Sequence, residues 1–189
     1  MAISEIDIVN RALQRIGAQR IDAFDQSHPN ARSALAAYES VRDRLLRAHP
    51  WNFAVKRARL PALSDKTEFG ELYRYELPDD FLRLLPPDDR ARRDWRIEGR
   101  EITTADAPPL DVRYIARVTD PNLYDASFVE VLASRLALEL AYEIAPSQNI
   151  VQLTSALYEA ALREAKSVGA FEEPPQEPPE DDWITIMRT

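Results

Sequence analysis

The chain has 189 residues, no cysteine, four glycines and a formal charge of −8, which leaves room for one domain, or one domain with an inserted subdomain, able to bury about 70% of its unfolded surface. Without cysteine there is no disulfide framework, thiolate metal site or cysteine nucleophile, and four scattered glycines, Gly17, Gly70, Gly99 and Gly169, cannot assemble a phosphate-cradling loop. No stretch reaches the roughly eighteen apolar residues of a membrane span, and the opening MAISEIDIVNRAL lacks the basic and apolar regions of a secretory leader, so a soluble protein made in the cytoplasm and not bound to a membrane is expected.

Ser4 can cap a helix whose first turn holds Glu5 and Asp7, and Ile8, Val9, Ala12, Leu13 and Ile16 form one apolar face before Gly17 stops it. Pro29 suits the first position of a second helix, in which Ala34, Leu35, Tyr38, Val41, Leu45 and Ala48 recur at helical spacing until Pro50. These two helices are expected to pair as an antiparallel hairpin. From Trp51 the period changes. Asn52 to Leu60 alternates in part, Tyr73, Tyr75 and Leu77 alternate with Arg74 and Glu76, and Arg83 to Leu85 is a short run closed by Pro86 and Pro87. Trp95 to Glu98 and Arg100 to Thr104 read as a hairpin turning at Glu98 and Gly99, while Leu110, Val112, Tyr114, Ala116 and Val118 line one face of a further strand. The centre is therefore predicted to be a small antiparallel β unit of about five strands.

Helix returns after Asp120 and Pro121. Phe128 to Ile144 is apolar on most sides, interrupted mainly by Glu130, Arg135 and Glu139, and is predicted to be the most buried helix. Ser147 can cap a last helix with Ile150, Val151, Leu153, Leu157, Ala161 and Ala165 inward and an end near Gly169. The fold class that follows is α+β: a helical bundle of two N-terminal helices (1–50) and two C-terminal helices (120–170), a small antiparallel β subdomain inserted between them (51–119), and an extended C-terminal tail (171–189).

The tail pairs a segment that cannot fold alone with an apolar end. Pro174, Pro175, Pro178 and Pro179 favour extended polyproline II, and Glu172, Glu173, Glu177, Glu180, Asp181 and Asp182 repel one another. Trp183, Ile184, Ile186 and Met187 then form a hydrophobic hook, each side chain worth roughly 1.5 to 3 kcal/mol if buried. Such an arm points to attachment to another protein; the alternative is that Trp183 folds back on its own body. The tail carries five of the eight net negative charges, leaving −3 for the rest. That balance argues against nucleic-acid binding as the main business. Of the 24 basic residues 21 are Arg, which suits bidentate contacts at interfaces, although GC-rich coding produces the same bias.

Chemistry-bearing residues do not converge. His28 and His49 each precede a proline at opposite ends of one predicted helix, about 30 Å apart at ~1.5 Å per residue, so they read as capping or packing residues and cannot form a metal or catalytic pair. Asp79 and Asp80, Asp88 and Asp89, and Glu172 and Glu173 fall in predicted loops or tail, where solvation keeps carboxylates ionised. No catalytic, cofactor-binding or metal residue is assigned, and no cofactor is expected. Arg90, Arg92, Arg93, Arg96 and Arg100 surround Trp95, a set that could contact phosphates and stack on bases. Asp88, Asp89, Asp94 and Glu98 interleave with it and cancel much of its field, which favours a solvated hairpin or a charged subunit interface.

SEIDIVNRALQRIGAQRI at the start, HPWNFAVKRARL at His49 to Leu60, YRYELPDDFLRLL at Tyr73 to Leu85, WRIEGREITT at Trp95 to Thr104 and VRYIARVTDPNLYDASFVEVLASRLALELA at Val112 to Ala141 together resemble the tail tubular protein A group of phage head-to-tail adaptors. The resemblance runs over most of the chain, and the PWNF segment is its distinctive part. It implies a virion structural protein without catalytic residues, assembled in the host cytoplasm into the head-tail interface. Its partners would be the portal protein, a tubular-B-like tail nozzle protein and itself, in a ring of about twelve copies around a lumen through which DNA passes without specific binding. The acidic tail departs from the family pattern, so its role as a portal-docking arm is a separate expectation. Two rivals stand beside this reading: a monomeric binding or scaffolding module that recruits a partner through the tail, and a hydrolase with an Asp/Glu site that carries no motif.

Overall fold

The computed structural model describes residues 2–24, 28–70, 72–86 and 95–172. Arg90, Arg92 and Arg93 lie outside the described residues, as do Trp183, Ile184, Ile186 and Met187 with the whole of 173–189.

Glu5–Arg15 forms α1 because both of its ends are capped locally. The Ser4 hydroxyl accepts from the Asp7 amide at 3.1 Å, closing a capping box, while the Asp7 carboxylate accepts from the Ser4 hydroxyl at 2.6 Å and from the Ser4 amide at 2.9 Å, two donors that hold its carboxyl below the usual pKa. Gly17, at φ +70°, takes the left-handed position that ends the helix, its amide bonded to Gln14 and that of Ala18 to Leu13. Pro29–Ala48 forms α2, with His28 as its N-cap: the imidazole Nδ1 accepts from the Asn30 amide at 3.2 Å.

Ala126–Ile144 forms α3, opened by Asp125, and Gln148–Glu172 forms α4. Phe128, Val131, Leu132, Leu136 and Leu140 bury α3 at the centre of the bundle. The first two helices do not pair as the expected antiparallel hairpin. Each lies chiefly on α3, which also carries α4. Ala133, Ala137 and Ala141 on α3 are fully buried, and residues this small allow close approach by helices on several sides. Arg15 pairs with Glu130 and donates to Ser134 at 2.7 Å, fastening α1 to α3.

Among the described residues the β unit contains six strands, β1 Val55–Leu60, β2 Tyr73–Glu76, β3 Phe81–Leu84, β4 Arg96–Glu98, β5 Glu101–Thr104 and β6 Leu110–Ala116, in place of the expected five or so. They form two antiparallel three-stranded sheets, ordered β1-β6-β3 and β2-β5-β4. The segment before β1, read as strand from Asn52, begins as a 3-10 turn over Asn52–Ala54. The hairpin turns one residue later than expected: Glu98 pairs with Glu101, so Gly99 and Arg100 make the loop, and Gly99 supplies the positive φ of +63°.

β6 separates two cores. Leu110, Val112, Tyr114 and Ala116 point into a second apolar cluster with Leu60, Tyr75, Leu77 and Ile102, while Ile115 points the other way into the bundle. Val118, expected on the first of these faces, lies in the bundle core, because the strand ends at Ala116 and its alternation ends with it. Among the described residues the fold is thus α+β, four α-helices in a bundle with the β unit inserted between α2 and α3.

Two further expectations change on α4. The helix runs through Gly169 to Glu172, and its inward side carries Thr154, Tyr158, Leu162 and Ala165 while Leu153 and Leu157 face solvent. On α2, Leu35 and Ala48 are likewise exposed, and Leu46 is buried.

Candidate functional site

The PWNF segment occupies the joint between bundle and β unit. α2 ends at Ala48 because Pro50 cannot continue it, and the next residues turn two aromatic rings back onto α3. Trp51 is 4% exposed, donates from Nε1 to the Leu45 carbonyl at 2.9 Å, and stands edge-on to Phe128. Phe53 meets the same Phe128 ring at 5.1 Å and Tyr124 at 5.7 Å, and the Tyr124 hydroxyl donates to the Val118 carbonyl at 3.0 Å. Burial pushes the Tyr124 phenol up to about 12. His49 packs edge-on to Trp51 at 4.8 Å between centroids. The two histidines therefore sit at opposite ends of α2, one capping and one packing.

Charged groups brace the same joint. The Arg42 side chain, 5% exposed, donates to Asp43 at 2.9 Å, and Arg117, just past β6, donates to the other oxygen of Asp43 at 2.7 Å. Arg47 donates to the Leu82 carbonyl, and Arg83 to that of Ala48 at 3.3 Å, so α2 and β3 are tied in both directions. Asp80, expected as a solvated turn residue, accepts from Lys56 at 2.6 Å and from the Tyr114 hydroxyl at 3.0 Å. Partial burial works to raise its pKa, but these two donors prevail and hold it below the usual aspartate range. Sequence reasoning missed this joint as a unit, since its parts come from positions 42–53, 80–83 and 114–128.

Of the residues expected at a subunit interface, Trp95, Arg96 and Arg100 are described, and they turn to different surroundings. Trp95 is partly buried against the second core, its Nε1 donating to Asp106 at 3.2 Å. Arg96 is exposed on β4, whose neighbour Ile97 is 49% exposed. Arg100 folds back across the hairpin onto the Pro78 carbonyl at 3.1 Å.

The bundle exposes apolar surface that periodicity did not reveal. Leu153, Leu157 and Val168 lie along α4, and Tyr142 on α3 is 67% exposed beside the α3–α4 turn. A cleft of about 310 Å³ lies over α1 between Arg11, Gln14 and Arg20. Among the described residues no three His, Asp or Glu side chains gather within reach of one metal ion, and no helix is long and apolar enough to cross a membrane. Compared with protein-family models and with curated proteins, the chain matches none.

Proposed function

We propose that the protein is a head-to-tail adaptor, a structural component whose copies form a ring of about twelve between a portal and a tail nozzle, with DNA passing through the lumen. The observation that carries this reading is the joint at Trp51. A closed ring needs subunits of one fixed shape, because a small angular error in each copy accumulates around the circle. Trp51 and Phe53 against Phe128, together with Asp43 between Arg42 and Arg117, hold bundle and β unit together. The segment that makes the joint is also the distinctive part of the resemblance to ring adaptors.

In this reading residues 173–189 are the portal-docking arm, with Trp183, Ile184, Ile186 and Met187 as its apolar end, and the Arg-rich stretch at 90–100 contributes to the contact between subunits. One arm binds weakly, since the entropy lost on association offsets much of what burial contributes, and many arms on one ring make docking durable. The test is to mix the protein with its cognate portal and weigh the complex. About twelve copies per portal ring are expected, and removal of everything after Glu172 should leave a folded body that no longer joins. One copy per ring at saturation would favour the monomeric binding module instead.

A further inference from the structure

The turn between α3 and α4 holds a surface cavity of about 420 Å³, lined by Tyr142, Pro146, Val151 and Gln152 among others. Tyr142 is 67% exposed, so a large ring stands at the cavity mouth with most of its surface in water. A seam leads away from it along the two helices. Arg135, Glu139 and Tyr142 recur at helical spacing on α3, and Val151, Ser155, Tyr158 and Leu162 do so on α4. The Arg135 guanidinium lies over the Tyr158 ring, 5.6 Å from its centroid, which sets these two rows side by side. Near the far end of α4, Arg163 and Lys166 are exposed and hold no ion pair among the described residues.

The chain supplies an occupant of matching length and charge. Trp183 lies eleven residues beyond Glu172, a span of ~34 Å at the ~3.1 Å per residue of a proline-rich extended segment. Val151 lies 21 residues back along α4, or ~32 Å at ~1.5 Å per residue. A tail that reverses at Glu172 and follows α4 therefore delivers Trp183 to the cavity. On the way Glu173, Glu177, Glu180, Asp181 and Asp182 pass Lys166, Arg163 and then Arg135. The acids along that route are Glu159 and Glu139, and Glu139 is already paired with Arg135 at 3.0 Å and with Arg44 at 3.7 Å.

We propose that residues 173–189 dock on their own body, with the Trp183 indole in the cavity at Tyr142, Pro146 and Val151. The inference concerns the free chain and stands independently of the adaptor reading. In an adaptor, docking stows the arm until a partner with greater affinity for the hook displaces it.

The test is acrylamide quenching of the full-length protein, with the Trp183 contribution isolated by subtracting the signal of Trp183→Phe. In the parent, Trp183 should be quenched about threefold less than free tryptophan amide, as expected when an aromatic ring loses most of its solvent contact. Tyr142→Ala should restore quenching, and so, in part, should Arg163→Glu combined with Lys166→Glu, while dilution should change nothing. The charge-reversal pair decides the matter if Tyr142→Ala does not fold. Trp183 quenched like the free amide in the parent overturns the proposal, as does protection that survives these variants. Protection that disappears on dilution overturns it as well, because the arm then comes from a second copy.

Discussion

Trp51 stands edge-on to Phe128, with ring centroids 4.9 Å apart and planes inclined at 72°. One ring belongs to the chain as it leaves α2 for the β unit, the other to the first turn of the central helix. The contact therefore joins the inserted subdomain to the bundle at the point where the chain enters it.

Replacing Trp51 by alanine removes a side chain that is 4% exposed and leaves the Leu45 carbonyl without its indole donor. A loss of about 3 to 5 kcal/mol is expected from the cavity alone, read as a lower urea midpoint. Hydrogen exchange should show β1 and β3 losing protection along with α2. A loss below ~1 kcal/mol would mean that the joint is held elsewhere.

Asp43→Ala strands Arg42, whose side chain is 5% exposed, with a buried charge and no carboxylate. The cost should be about 2 to 4 kcal/mol, nearly all of it through Arg42, since Arg117 can return to water. Arg42→Met combined with Asp43→Leu should recover most of that stability in the same titration. If the double variant is no better than Asp43→Ala, the ion pair contributes more than the charge burial it offsets.

Asp80 is a carboxyl whose folded pKa is lowered by Lys56 and Tyr114 against the opposing effect of burial. A lowered pKa means that the folded state binds the proton less well than the unfolded one. The stabilisation is therefore complete above the ordinary aspartate value of about 4 and is lost as pH falls through the folded value. Asp80→Asn should lower the urea midpoint near neutral pH, and the gap to the parent should close on acidification below about pH 4. A gap of constant size at both ends of that range would show that Asp80 acts by shape and not by charge.

His28→Ala removes an N-cap acceptor at 3.2 Å, and His49→Ala removes an edge-on partner of Trp51 at 4.8 Å. Each should cost about 0.5 to 1.5 kcal/mol. If the protein is the adaptor proposed above, joining to a portal should be unchanged in both variants. Loss of joining by a variant with a normal melting transition would reveal a role that neither contact explains.

Features governed by neighbours in the chain are legible in the amino-acid sequence itself. The Ser4 and Asp7 cap, the stop at Gly17, the entry at Pro29 and the turn near Gly99 each follow from local hydrogen bonding or backbone freedom. The α+β order follows too, since a change of hydrophobic period from helical to alternating marks each passage between bundle and β unit.

Which apolar residues face inward is decided by tertiary packing. On α4 two rows compete: Leu153 and Leu157 on one, Thr154, Tyr158 and Ala165 on the other, and hydropathy favours the first. The helix is nevertheless turned to bury the second, because the Thr154 hydroxyl is satisfied by the Ile150 carbonyl at 2.8 Å and Tyr158 can lie under Arg135. Val118 changes core because β6 stops two residues before it, and Trp95 packs against the second core, where Asp106 offers its indole a partner. Each choice depends on residues distant in sequence meeting in space, and a pattern read along one dimension holds no record of those meetings.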